Sequence, residues 1–367
     1  MNRIVLIGNG FDLAHGLKTS YADFINWYWE QWKERLIKSR AQIEEDKLCY
    51  FRLHSAFHNN TLGVLINDYY STWCNLSAAE FIDTISRNLL EVEVYFSPLL
   101  KHIKDSITNK NWVDIEADYY DLLKKCLKNN STIEVKKLHE HLAYLQDKLI
   151  DYLREVHNIT IFKNSNIQRI IEQPINKEDI SVKALKTIFH SPDYFKGIPL
   201  SSTLLLTFNY TDTVDEYANT PNIMVNHIHG IIHKPESIIF GYGDEMDKHY
   251  QELEDFNDNN YLAHIKSSKY LDASNYRKLL QFVESAPFQI YIMGHSCGNS
   301  DRTLLHTLFE HENCVSIKPF YYQKEDGTDN YTEIAQNISR NFKNKQKLRD
   351  RVVNKEFCEP LPQTSTN

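Results

Sequence analysis

The apolar residues of this chain fall into two patterns. Five short runs, Ile4–Ile7, Thr203–Phe208, Ile223–His229, Ile238–Phe240 and Gln289–Met293, are rich in Ile, Leu and Val. Helical sequence separates several of them, as in a parallel sheet covered on both faces. Val315–Tyr322 reads as a further strand, at an edge because Pro319 interrupts its ladder. Between the first run and the second, roughly residues 20 to 200, the spacing changes. Ile133–Val156 places apolar residues at 135, 138, 142, 145, 149 and 153, one stripe of a long helix. Segments 21–47, 79–107 and 112–128 are similar, and their charged faces read as solvated surface. The pattern predicts an α/β fold: a nucleotide-type parallel sheet with a large helical insertion after its first strand. The tail Glu325–Asn367 is polar, with Pro360 and Pro362 near its end, and its last few residues read as loose.

Composition narrows the class. The chain has 367 residues, 42% hydrophobic and 25% charged, as expected of a soluble globular protein. A formal charge of -8 argues against nucleic acid as the main partner, since phosphate binding needs a basic surface. Cys49, Cys74, Cys126, Cys297, Cys314 and Cys358 are scattered without a CxxC pair, which fits reduced thiols and supplies no zinc framework. The opening MNRIVLIGNG has too short an apolar run for a signal peptide, and no run approaches the ~20 residues of a membrane span. A soluble, cytoplasmic protein is expected.

The chain holds only 11 glycines. Gly8, Gly10, Gly16, Gly230, Gly241, Gly243, Gly294 and Gly298 lie at or just beyond the carboxyl ends of predicted strands. Ligands bind at that edge of an open parallel sheet, and glycine lets backbone N–H groups approach a phosphate. Tight turns would give the same residues. IGNGFD has GxG but Leu13 where a third glycine would complete a dinucleotide fingerprint. Asn9 and Asp12 sit where they could reach ribose or phosphate, although Asp12 could equally cap a helix. In LLLTFNYTDTVDEYA, Asn209, Tyr210 and Thr211 leave a strand, with Thr211 or Asp212 as the alternative cap. NHIHG offers His227 and His229 on one strand face. A histidine is the natural base at neutral pH, and His229 stands beside Gly230 at the strand's end. His233 completes HxHxxxH, a pattern a metal could use, but neither thiolates nor an evident carboxylate accompany it. IYIMGHSCGNSDRTLL is strand, glycine turn and helix. Its GHSCG invites comparison with a nucleophile elbow, yet only His306 and His311 follow, both within the next helix. A sugar- or adenine-contacting loop with Gly294, Ser296 and Asp301 suits it better.

Strand–GxG, TFNYT, HIHG and IMGHSCGNSD occur in the order of a sirtuin-like fold. The full set, with LIGNGFDLAHGLKTSYADF, NWVDIEADYYDLL and IIFGYGDEMD, resembles the AbiH family of bacteriophage abortive-infection proteins. The resemblance covers most of the chain. It implies a Rossmann-like (sirtuin-like) domain of residues 1–20 and 200–324, a helical insertion of 21–199 and a C-terminal extension of 325–367. It also implies a role in antiphage defence. The sirtuin-like half implies NAD as substrate, with Asn209 and His229 matching the catalytic pair. Gly8, Asn9, Gly10, Asp12, Tyr210, Gly230, Gly294, Ser296 and Asp301 would hold the dinucleotide. Deacetylating sirtuins carry a four-cysteine zinc ribbon that this chain lacks, so hydrolysis of the nicotinamide–ribose bond is the expected reaction, with an oxocarbenium-like transition state. Asn209 would hold water and ribose, and His229 would deprotonate a ribose hydroxyl or the water. The expected partners are a phage-derived trigger or second defence protein and further copies of the chain. A nucleotide sensor without turnover and a metal-dependent nuclease are the rival readings. Glu116 and Asp114 could decorate a helix or project over a site, and Asp244, Glu245 and Asp247 read as a solvated loop.

Overall fold

A computed structural model describes residues 1–39, 43–53, 71–87, 92–110, 114–157, 163–188 and 198–364. Two compact units result, one of Met1–Thr19 with Leu153–Asn367 and one of Ser20–Tyr152.

The first unit is built on a five-stranded sheet of β1 (Asn2–Ile7), β5 (Thr203–Thr207), β6 (Ile223–His227), β7 (Phe288–Met293) and β8 (Cys314–Phe320). The spatial order is β6-β5-β1-β7-β8 and every pair is parallel. Numbered by appearance within this sheet, the strands run 3-2-1-4-5. The order reverses at β1, between its neighbours β5 and β7. Alternate side chains serve opposite faces, as strand geometry requires. Ile4, Leu6, Leu204, Leu206, Ile290 and Ile292 join one core, with Leu304, Leu308, Ile334 and Ile338 from covering helices. Val5, Ile7, Leu205, Tyr291 and Met293 join the other, with Phe11, Ile167 and Ile171. Both faces are covered, so these strands needed no polar alternation.

The strand edges differ from the pattern's expectation in two places. Ile238–Phe240 forms no strand: after the turn Pro235–Ser237, Ile239 donates to the His229 carbonyl (2.9 Å) and accepts from the Tyr210 hydroxyl (3.2 Å). Gly241 then passes so close to His264 that a Cβ would lie 2.0 Å from its carbonyl oxygen. This apolar run bonds the segments that follow β5 and β6 instead of joining the sheet. β6 also stops at His227, because Gly230 (φ +84°) turns back to bond the His227 carbonyl.

β8 is the edge strand the pattern predicts. Single parallel bridges, Ile317 to Val352 and Tyr321 to Pro360, lay the C-terminal segment along it, which removes an open edge. The polar tail is more ordered than its composition suggests. It forms helices Tyr331–Arg340 and Lys345–Arg351 and buries Ile334, Ile338, Phe342, Val353 and Leu361. The expectation of looseness at the very end concerns residues 365–367, outside the described ones.

The second unit contains helices Tyr21–Ser39, Ala78–Ser86, Pro98–Lys110 and Ile115–Lys128, and Thr132–Tyr152 of the helix Thr132–His157. It is not purely helical. β2 (Ile43–Glu45), β3 (Cys49–Leu53) and β4 (Val92–Phe96) form an antiparallel sheet of order β2-β3-β4. The helices expected over 21–47 and 79–107 are therefore each shorter, because Ile43–Glu45 falls within the first and VEVYF, whose two-residue alternation a 3.6-residue reading absorbs, within the second. Of NWVDIEADYYDLL, the residues before Asp114 lie outside the described ones. Asp114 caps its helix by accepting from the Ala117 amide (3.0 Å). Glu116 is buried rather than decorating the surface.

Candidate functional site

The loops after β1 and β7 meet at the point where the strand order reverses, and they meet backbone to backbone. The Gly10 amide donates to the Gly294 carbonyl (2.9 Å), and the Gly8 amide to that of Met293 (3.3 Å). A Cβ on Gly8 would stand 2.5 Å from His295 Cα, and one on Gly10 2.8 Å from Gly294 Cα. At Gly294, with φ +75°, it would stand 2.1 Å from the Phe11 nitrogen. This close approach is what requires glycine at the three positions. Their amides are spent within the chain, so the phosphate argument from the sequence does not extend to the N–H groups of Gly8 and Gly10.

Behind these loops lies a buried cluster of charge. Asp301 receives Lys266 Nζ at 2.7 Å, His229 Nε2 at 3.4 Å and His295 Nε2 at 3.6 Å. All four residues are buried, Lys266 to 1% exposure and His229 to 3%. Lys266 and the two imidazoles hold the Asp301 carboxyl below its usual range, despite the burial that opposes this. Burial first, and then Lys266, push His229 down to about 3, so its imidazole is uncharged at neutral pH. Its Nε2 lies 3.1 Å from the Tyr270 hydroxyl, and a hydrogen bond with the Phe208 backbone partly opposes the shift. The Phe208 ring packs between the two imidazoles, with centroids 5.2 Å from His229 and 4.1 Å from His295. Asp244 is not a solvated loop residue. It is buried and pairs with Arg302 at 3.2 Å.

A second group surrounds Asp12. Its helix, Asn9–Ala14, is preceded by Gly8, so Asp12 is not a cap. It is buried and accepts from Thr211 Oγ1 at 2.7 Å. Its Oδ1 has no hydrogen-bond partner among the described residues. Burial raises its carboxyl to about 6, tempered by Thr211, Thr213 and Asn209. Asn209 Nδ2 donates to the Gly8 carbonyl (3.1 Å), tying β5's end to β1's. Asp212 precedes the short helix Thr213–Tyr217 but makes no capping bond.

Several predicted site residues therefore share this edge, but in separate surroundings. Asn9 accepts from Thr19 Oγ1 (2.6 Å), and Tyr210 faces the 238–240 segment. Gly230 must be glycine, since a Cβ there would stand 2.2 Å from the Ser237 carbonyl oxygen. Ser296 is exposed, and its carbonyl accepts from Asn337 Nδ2 (2.8 Å). The helix after it starts only at Arg302, so Ser296 does not occupy a nucleophile elbow. HxHxxxH is dispersed: His227 bonds Asp215 (3.1 Å), His229 bonds Tyr270 and His233 bonds Asp212 (3.0 Å). A cleft of about 450 Å³ opens at the end of β7, lined by Gly10, Gly294, His295, Ser296, Tyr322 and Asn330 among others. That is within the usual range for a small-molecule site. Sequence reasoning missed Lys266 and Tyr270, which stand in a polar stretch indistinguishable from solvated surface.

The family model described as bacteriophage abortive infection AbiH matches residues 4–323 of the chain. Among curated proteins none matches it.

Proposed function

The chain belongs to the family of bacteriophage abortive-infection AbiH proteins, and from that premise we propose that it serves antiphage defence by hydrolysing NAD⁺ to nicotinamide and ADP-ribose. The observation that supports this most is the coincidence of a cleft with the reversal of strand order at β1. Order 3-2-1-4-5 in a parallel sheet is that of dinucleotide-binding folds, whose ligands lie outside the carboxyl ends at such a reversal. In this reading the domain is Rossmann-like and sirtuin-like, and the cleft beside Gly294, His295 and Ser296 takes one end of the dinucleotide. Water adds to the ribose C1′ as the C1′–N bond breaks. The bonding pair leaves with nicotinamide, and the proton lost from water passes to a base. Asn209 positions ribose and water. His229, uncharged at neutral pH, is the acceptor.

A regulator that binds the nucleotide without turnover is favoured by one observation. His229 is only 3% exposed and its Nε2 is engaged by Tyr270 and Asp301. Catalysis would require that contact to open. Nicotinamide release by the purified full chain separates the two. The hydrolase reading expects release that Asn209→Ala and His229→Ala each reduce at least ~100-fold, as for an acid–base group, with melting temperatures retained. Saturable NAD⁺ binding with no product under any condition, phage lysate included, would favour the regulator.

A further inference from the structure

Two histidines far apart in sequence converge on one aspartate at the carboxyl edge of the sheet. His157 ends the long helix Thr132–His157, Asp212 follows the Asn209–Thr211 turn, and His233 lies in the loop after β6. His233 Nε2 stands 3.0 Å from Asp212 Oδ2, and His157 Nε2 touches Asp212 Oδ1. One potential ligand atom from each residue lies within 4.8 Å of the others. The imidazoles stand edge to face, with centroids 5.7 Å apart, so both can direct a nitrogen to one point. His157 Nε2 is buried against that carboxylate oxygen. His233, 57% exposed at its side chain, leaves the other side open to solvent.

We propose that His157, Asp212 and His233 bind a divalent transition-metal ion, with zinc the best suited. Two imidazole nitrogens and one carboxylate are a borderline donor set with three protein ligands, which leaves a position for water or a ligand. Magnesium and calcium favour all-oxygen shells and fit it poorly. This trio is not the HxHxxxH of the sequence: of those three histidines only His233 belongs to it. The ion would fasten the end of the long helix to the turn that carries Asn209 and Thr211, independently of which substrate the cleft takes. Neither His229 nor Asn209 is among its ligands, so the site and the hydrolase reading can fail separately.

Equilibrium dialysis of the metal-stripped full chain against Zn²⁺, and cobalt absorption spectra after Co²⁺ loading, test the site. One equivalent of Zn²⁺ is expected, with cobalt bands of a nitrogen–oxygen shell. His233→Ala, an exposed change that spares the core, should weaken zinc at least tenfold, and Asp212→Asn should do the same. His227→Ala, whose side chain pairs with Asp215, should bind as the parent does. Circular dichroism checks that each variant is folded. Absence of stoichiometric zinc, unchanged affinity in folded His233→Ala and Asp212→Asn, or Mg²⁺ binding as tight as zinc would each overturn the assignment.

Discussion

Asp12 is a carboxyl held where water does not reach, and that has a measurable consequence. Its native value of about 6 stands above the ordinary 3.8. Between those pH values the unfolded chain releases the proton while the folded chain keeps it, so this group destabilises the fold progressively as pH rises through the window. The loss is complete above about 6 and amounts to about 3 kcal/mol at 1.36 kcal/mol per unit. Asp12→Asn cannot ionise. Thermal melts should therefore show the variant gaining on the parent between pH 4 and pH 7; a constant difference across that range would contradict the account. His229 acts in the opposite direction, because its value is depressed: its contribution is whole above about 6.5 and is lost as pH falls below it. At this scale the sequence was legible in part. Asn209, Gly8 and Gly294 follow apolar runs and His229 ends one, which was enough to place all four at the carboxyl edge of the sheet. Lys266 did not, because a lysine paired in the interior and one in solvent share the same local sequence. His157 was hidden for a related reason, since it reads as one more polar residue at the end of an amphipathic helix.

The parallel strands were legible because burial on both faces leaves an unbroken apolar run. β1 is buried at every position from Asn2 to Ile7. β2, β3 and β4 were not, since short alternating stretches between helices match a helical stripe by chance. Ile238–Phe240 failed differently: three apolar residues describe burial, but not a hydrogen-bonding partner. The glycines following the strands were visible as a set, while their reasons needed coordinates. Gly294 and Gly327 separate two of those reasons. Both have positive φ, +75° and +82°, but a Cβ at 294 meets Phe11 and one at 327 meets nothing within 4 Å. Gly327→Ala should cost about 1 kcal/mol, from backbone conformation alone. Gly294→Ala adds a backbone clash that only movement of the β1 or β7 loop relieves, and should cost at least ~2 kcal/mol more. Equal losses in urea titrations would mean that the two loops do not need this close contact.

For the molecule as a whole, the motif set across most of the chain pointed to the family, and the match over residues 4–323 shows membership. No helix among the described residues is long and apolar enough to cross a membrane. What the interleaved chain order conceals is how residues some 280 positions apart come to share one edge: Gly10 and Gly294 meet only because β1 and β7 are sheet neighbours. That meeting is the frame of the proposed NAD⁺ site. The most direct test is to follow NAD⁺, nicotinamide and ADP-ribose by mass spectrometry in phage-infected cells carrying the chain or its Asn209→Ala variant. The account predicts that protected cells lose NAD⁺ before lysis, with matching gains in nicotinamide and ADP-ribose, and that the variant loses both the depletion and the protection. Protection by the parent chain with NAD⁺ unchanged would contradict it.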